Sequence, residues 1–181
     1  MPLSEAAPRK PLHTRDIKLH GYQREDGQFD IEAELIDTKA YPFDIDGRPI
    51  PVGAPLHHMR ARITCNEHLV ITSAEAVTES GPFSICGGGA ESFSRLAGLT
   101  IRPGFLRAAN ERLGGIKGCT HIRELLQQMA TVAFQTSYPV RAKRDEKKPA
   151  STPPRLLNTC HAYDSAGDVI KRRFPAFYTG E

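Results

Sequence analysis

The chain contains no tryptophan, only four cysteines, no long apolar run and no marked excess of either charge among its 181 residues. Each shortage excludes something. A membrane-spanning helix needs roughly 20 consecutive apolar residues, and no stretch approaches that. Met1 to Lys10 lack the apolar core that follows the basic start of an export leader, so a cytoplasmic protein without a membrane partner is expected. The cysteines, Cys65, Cys86, Cys119 and Cys160, lie far apart and none forms a C-x-x-C pair. In a reducing compartment that spacing argues against a disulfide framework and leaves buried thiols, nucleophiles or isolated ligands. A chain of this length buries roughly two thirds of its unfolded surface, so it needs no metal staple merely to fold.

Lys and Arg number 24 against 21 Asp and Glu. Six of the basic residues and two of the acidic ones lie in residues 141–155, RAKRDEKKPASTPPR, and the remainder carries 18 basic and 19 acidic residues. A phosphate backbone is gripped by a basic face, usually with interleaved aromatics. Here the excess sits in a Pro/Lys segment that reads as a disordered, solvated linker. Nucleic acid is therefore not an expected partner.

The N-terminal third alternates. Ile17, Leu19 and Gly21 are in phase against Asp16, Lys18, His20 and Tyr22; Asp26-Gly27 supplies a tight turn; then Phe29, Ile31, Ala33 and Leu35 alternate with Asp30, Glu32 and Glu34. This pattern predicts a hairpin with one apolar face. Residues 40–56 carry four prolines and a second Asp-Gly, which is loop chemistry with room for a short edge segment. Alternation resumes with Met59, Ala61, Ile63 and Cys65, and a further strand runs from Leu69 to about Val77, with a phase slip between Ile71 and Ala74 that predicts a bulge. Gly87-Gly88-Gly89 reads as a flexible connection. Beyond it Phe93, Leu96, Ala97 and Leu99 fit a short helix, Phe105 to Leu113 a second, and Ile122, Leu125, Leu126, Met129, Val132 and Ala133 a third and longer one. Leu156 to Tyr163 and Asp168 to Phe174 read as a second hairpin returning to the sheet. The expected architecture is α+β: an antiparallel sheet of about five or six strands packed against two or three helices. Residues 1–12 are a flexible N-terminus, 13–178 a single domain, and 141–155 its disordered basic linker.

Candidate chemistry gathers around histidine and cysteine. His57 shares the phase of Met59, Ala61 and Ile63 and so faces the core, while His58 faces the side of Arg60 and Arg62. A core-facing His at a loop edge is a candidate general base, or a buried ring bonded to a carbonyl. Cys119 and His121 fall at the start of the longest helix, where unpaired N–H groups favour a thiolate and a neutral imidazole; alternatively Gly118-Cys119-Thr120 merely caps that helix. Arg60 or Arg62 could hold a carboxylate in a bidentate grip, or pair with Asp30, Glu32 and Glu34 across the sheet. Tyr22 could donate a phenol hydrogen bond. His57, Cys119 and His121 with Cys160 or His161 could ligate zinc, although no H-x-x-x-H, H-E-x-x-H or C-x-x-C spacing is present and no metal ligands are assigned.

Four segments carry a family resemblance. They are His13-Thr14-Arg15 with Gly21-Tyr22; Phe29-Asp30-Ile31-Glu32 continuing to Asp37-Thr38-Lys39; Gly53-x-Pro55-x-His57-His58-Met59; and Gly118-Cys119-Thr120-His121, joined by Thr159-Cys160-His161-Ala162. Together the chain resembles, over roughly residues 10–178, a bacterial family known as domain of unknown function 2889. That family usually reads His-Asp-Met where His58 stands in the middle here. The resemblance implies a link to breakdown of lignin-derived aromatics and to lyases that release formaldehyde from a hydroxymethyl side chain without a cofactor. On that reading His57 or His121 is the base, Tyr22 a further catalytic group, and Arg60, Cys119, His58 and His161 contact a small aromatic substrate. A non-catalytic binding or accessory protein of an aromatic or acyl-CoA route, and a metal-dependent hydrolase, are the alternatives, with a possible homodimer as the assembly.

Overall fold

A computed structural model describes residues 2–149 and 151–180. Among the described residues six strands form: β1 (His13–Gln23), β2 (Phe29–Lys39), β3 (Phe43–Ile45), β4 (Arg48–Ile50), β5 (Pro55–Cys65) and β6 (Ile71–Ser80). Four of them make an antiparallel sheet in the order β1-β2-β5-β6, and β3 and β4 make a separate hairpin between β2 and β5. The helices are α1 (Cys86–Glu91), α2 (Phe105–Leu113), α3 (Thr120–Thr136), α4 (Tyr138–Asp145) and α5 (Asp168–Arg173). The α+β class with an antiparallel sheet holds. None of these helices is long and apolar enough to cross a membrane, among the described residues. Two compact units divide the chain, Met1–Pro139 and Val140–Glu181.

The sheet follows from alternation. Phe29, Ile31, Ala33 and Leu35 of β2 and Met59, Ala61 and Ile63 of β5 are buried on one face, paired directly across the strands as Ile31 with Ile63, Ala33 with Ala61 and Leu35 with Met59. Each such large side chain withdrawn from water contributes about 2 kcal/mol. Helix α3 covers this face, lying on β1, β2 and β5 and burying Ile122, Leu125, Leu126, Met129 and Ala133. The opposite face carries cross-strand ion pairs such as Arg62 with Glu32 at 2.7 Å and with Glu75 at 2.8 Å.

Asp46 and Gly47 both adopt positive φ, 52° and 79°, which is the tight turn that β3 and β4 require. The expected bulge sits at Thr72, since Thr64 pairs with Ser73 and Cys65 with Ile71. A second lies on β5 at Leu56, where Thr38 pairs with Pro55 and Asp37 with His57.

Three expectations are corrected. The main sheet has four strands, because the terminal segment does not return to it: residues 156–174 hold a short 3-10 turn at His161–Tyr163 and helix α5. Asp164 and Gly167 make the turn as expected, but Asp168 then opens a helix and Lys171, Arg172 and Arg173 close it, charges placed to complement the helix dipole. Gly87, Gly88 and Gly89 are helical, inside α1, rather than a flexible connection. The basic segment, read as linker from residue 141, begins inside helix α4, where Arg141 is buried.

Candidate functional site

The apolar stripe of β2 ends in a charge. Asp37 has the phase of Phe29, Ile31, Ala33 and Leu35 and is only 1% exposed. An isolated buried carboxylate is costly, and four neighbours answer it. Arg15, its direct partner on β1, grips it in bidentate fashion, Nε donating to Oδ1 and a terminal nitrogen to Oδ2, both at 2.7 Å. His57, its direct partner on β5, places Nδ1 at 3.0 Å from Oδ2. His13 from β1 brings Nε2 to 3.4 Å from Oδ1, and His121 from the first turn of α3 brings Nε2 to 4.0 Å from Oδ2.

Helix α3 closes the arrangement. Its Glu124 accepts a 2.6 Å bond from the remaining guanidinium nitrogen of Arg15, and its His121 ring lies 3.9 Å from the His57 ring, centre to centre, tilted by 32°. Cys119, at the N-cap, sets Sγ 3.9 Å from His121 Nδ1. Gly89 of α1 makes room for this cap: a Cβ there would stand 3.2 Å from both Cβ and N of Cys119. The Leu56 bulge adjoins His57, a common way to aim a side chain at a site.

Burial raises the Asp37 carboxyl, but the hydrogen bonds and charge of Arg15, followed by His57 and His13, outweigh it and hold Asp37 below its ordinary 3.8. Burial, then the His121 ring, push His57 below its ordinary 6.5 against the opposing pull of Asp37. At neutral pH the pair is therefore a carboxylate beside a neutral imidazole. A carboxylate can only accept, so His57 Nδ1 donates to Asp37 and the lone pair resides on Nε2. Such an arrangement is chemically able to accept a proton at Nε2, with the tautomer fixed from behind.

Oxygen and nitrogen donors of Asp37, His57 and His121 lie within 4.8 Å of one another, a carboxylate and two imidazoles that could hold a divalent cation. Arg15 weighs against such a centre, since it occupies both carboxylate oxygens and brings a positive charge to the same point. Cys119 lies outside that donor set.

The predicted site residues separate. His57, His121 and Cys119 come together on the helix-covered face. Tyr22, Arg60 and His58 stand on the other face: Tyr22 packs toward His20 at 6.2 Å between ring centres, His58 Nε2 bonds Glu34 at 2.9 Å, and Arg60 is 59% exposed with Glu79 3.9 Å away. An open cleft of about 340 Å³ lies on that outer face among Lys18, Glu34, Arg60, Arg62 and Val77. Its walls are largely charged groups on solvated sheet, and no His57 or Asp37 lines it. His161 is exposed in the 3-10 turn of the second unit.

Asp37, Arg15, His13 and Glu124 escaped the reading by residue type. The first three carried a signal in their phase: Asp37 continues the apolar parity of β2, and His13 and Arg15 that of Ile17 and Leu19, so three polar groups stand at one end of the core-facing stripes, while Glu124 on α3 carried none. No curated protein and no solved structure matches the chain. A model of the family described as "Protein of unknown function (DUF2889)" matches residues 13–135, a span that includes His13, Arg15, Asp37, His57, Cys119 and His121. The chain belongs to that family.

Proposed function

We propose that this protein is a cofactor-independent lyase that cleaves a C–C bond in a phenolic, lignin-derived aromatic compound and releases formaldehyde. The observation that carries the reading is the 3.0 Å contact between His57 Nδ1 and the Arg15-held Asp37, which leaves Nε2 as a base on a ring shielded by His121. The resemblance in sequence supplies the substrate class.

The chemistry needs one base and one electron sink. A para-phenol gives up its O–H proton as a leaving group departs from its benzylic carbon with the bonding pair and carries that proton away, forming a quinone methide. His57 Nε2 then takes the proton of the hydroxymethyl O–H on the neighbouring carbon. The C–C bond to that hydroxymethyl carbon breaks, its carbon departs as formaldehyde, and the electron pair forms a carbon–carbon double bond while the ring regains aromaticity. Asp37 stabilises the imidazolium that results. The tilted His121 ring disfavours that cation in the resting state and so keeps the base free. Cys119 shapes the wall beside His121.

A metal-dependent reaction at Asp37, His57 and His121 is the second reading, favoured by the 4.8 Å cluster of donors. Incubation with phenolic diaryl compounds bearing hydroxymethyl groups, with trapped formaldehyde and product mass as readouts, distinguishes the two. Release that ignores a chelator, and is lost in His57→Ala, is the expected result. Release abolished by the chelator and restored by a divalent metal supports the second reading, and no release across the panel rejects the lyase.

A further inference from the structure

Strand β1 forms one edge of the sheet and pairs only with β2 among the described residues. The opposite edge is protected by the chain itself: Ile71, at the start of β6, donates to the Leu99 carbonyl and accepts from the Gly98 N–H, both at 2.8 Å. The ends of the β1–β2 hairpin fix where the unused backbone groups of β1 point. Continued outward, the register sets Leu12 opposite Ala40 and Arg24 opposite Gln28. Both pairs are hydrogen-bonded, Ala40 donating to Leu12 at 3.3 Å and Arg24 to Gln28 at 2.8 Å. Bonded pairs alternate along an antiparallel ladder, so the even-numbered residues of β1 bond to β2. Arg15, Ile17, Leu19 and Gly21 therefore turn N–H and C=O away from it. The side chains of Ile17 and Leu19 are only half-buried, whereas Ile31 and Leu35 of the neighbouring strand are fully buried.

We propose that this edge receives the β1 strand of a second copy of the chain, antiparallel, with the twofold axis of the dimer at Ile17, joining two sheets into one. The charges of the strand choose that register. In a continuous sheet both the outward backbone groups and the side-chain faces of the two copies must match, so odd residues oppose odd ones and the axis falls on a residue. An axis at Asp16 or Lys18 sets like charges face to face. An axis at Leu19 sets Lys18 against the partner's His20 and leaves Asp16 opposite the partner's Tyr22. An axis at Ile17 sets Asp16 opposite the partner's Lys18, twice, at the non-hydrogen-bonded positions where side chains approach most closely. Neither Asp16 nor Lys18 has a salt bridge in its own chain among the described residues. Ile17 then meets its own copy, and about ten main-chain hydrogen bonds close the seam. Charged edge strands resist pairing in general; here the order of the charges favours one alignment and penalises its neighbours. On the inner face, the exposed flank of α3 beside Leu19 carries Gln127, Gln128 and Thr131, neutral groups that set no charge against their counterparts across the axis. Dimerisation through β1 is independent of the lyase reading.

Sedimentation equilibrium of the full chain tests this, and wild type should dimerise reversibly. Asp16→Lys opposes lysine to lysine and Lys18→Asp opposes aspartate to aspartate, so each should weaken the dimer by about tenfold or more. The double variant, Asp16→Lys with Lys18→Asp, restores opposite charges at the same two pairs and should recover the wild-type dissociation constant to within about threefold. Both positions are exposed, and unchanged thermal melts verify the fold of each variant. Amide exchange gives a second reading that needs no variant: the outward N–H groups of Ile17 and Leu19 should be protected in the dimer and exchange freely on dilution, while that of Lys18, bonded to β2, stays protected throughout. A wild-type chain that is monomeric at every concentration overturns the proposal and leaves the edge to a different strand. A dimer that tolerates the single reversals, is not rescued by the double one, or leaves Ile17 unprotected overturns it as well and assigns the contact to another surface.

Discussion

Arg15 meets Asp37 edge to edge, two parallel N–H···O bonds of 2.7 Å each, across one pair of strands. Truncating either partner leaves the other in a different position. Arg15→Leu strands a carboxylate that is 1% exposed, and should cost about 3 kcal/mol in a denaturant titration. Arg60→Ala, on the outer face, removes an exposed charge whose nearest acid is 3.9 Å away, and should change stability by less than about 0.5 kcal/mol with full activity retained. A loss of turnover in Arg60→Ala would move the active centre to the other side of the sheet.

His57→Ala should reduce turnover by about two to four orders of magnitude, the range for removing a general base. His57 is only part-buried and at a strand end, so its melting temperature should stay within a few degrees of wild type. Full activity in this variant removes His57 from the chemistry.

The pH profile follows from the two depressed groups. His57 titrates below 6.5 in the fold, so kcat/KM should be level at neutral pH and decline only on acidification below that value. Asp37→Asn removes the charge that favours protonated His57, and should shift this acid limb to still lower pH while lowering kcat. A limb that moves upward in Asp37→Asn contradicts the assigned contact.

Stability shares that sign. A histidine pushed down in the fold binds fewer protons than its unfolded counterpart, so stability falls as pH drops through 6.5 toward the depressed value. Asp37, also depressed, adds a further loss as pH falls below 3.8. Unfolding midpoints measured between pH 7.5 and 5 should decline in wild type and flatten in His57→Gln.

Much of the fold was legible because alternation is a local code. Phe29 to Leu35 announce a buried face residue by residue, and Ile122 to Ala133 announce a helix. The terminal hairpin was misread because Leu156 to Tyr163 have no comparable alternation, and Asp168 with Lys171 to Arg173 are ordered by helix electrostatics instead. Half the site was legible for the same local reason, as the phase of His57 with Met59 points it inward. Arg15, Asp37 and Glu124 were not, because their pairing joins segments separated by 22 and 109 positions in the chain, and residue type alone gives a charge on a strand no reason to face the core.

Two glycines in one helix should respond oppositely. A Cβ at Gly87 meets nothing within 4 Å, so Gly87→Ala should stabilise by about 0.5 to 1 kcal/mol through reduced backbone freedom of the unfolded chain. Gly89→Val drives a branched side chain against the backbone nitrogen of Cys119, and should cost about 1 to 3 kcal/mol. Because Cys119 caps α3, Gly89→Val should also lower kcat by disturbing His121. Thermal melts and steady-state rates measure both effects.

The pairing of Arg15 with Asp37 and of Asp37 with His57 across successive strands has a consequence for inheritance as well as chemistry. Sliding β1 by a single residue against β2 would turn His13 and Arg15 to the outer face and bring Thr14 and Asp16 inward. On the proposed lyase reading, any lineage that keeps the activity thereby keeps the alignment of the sheet, and selection for catalysis would act as a proofreader of the fold.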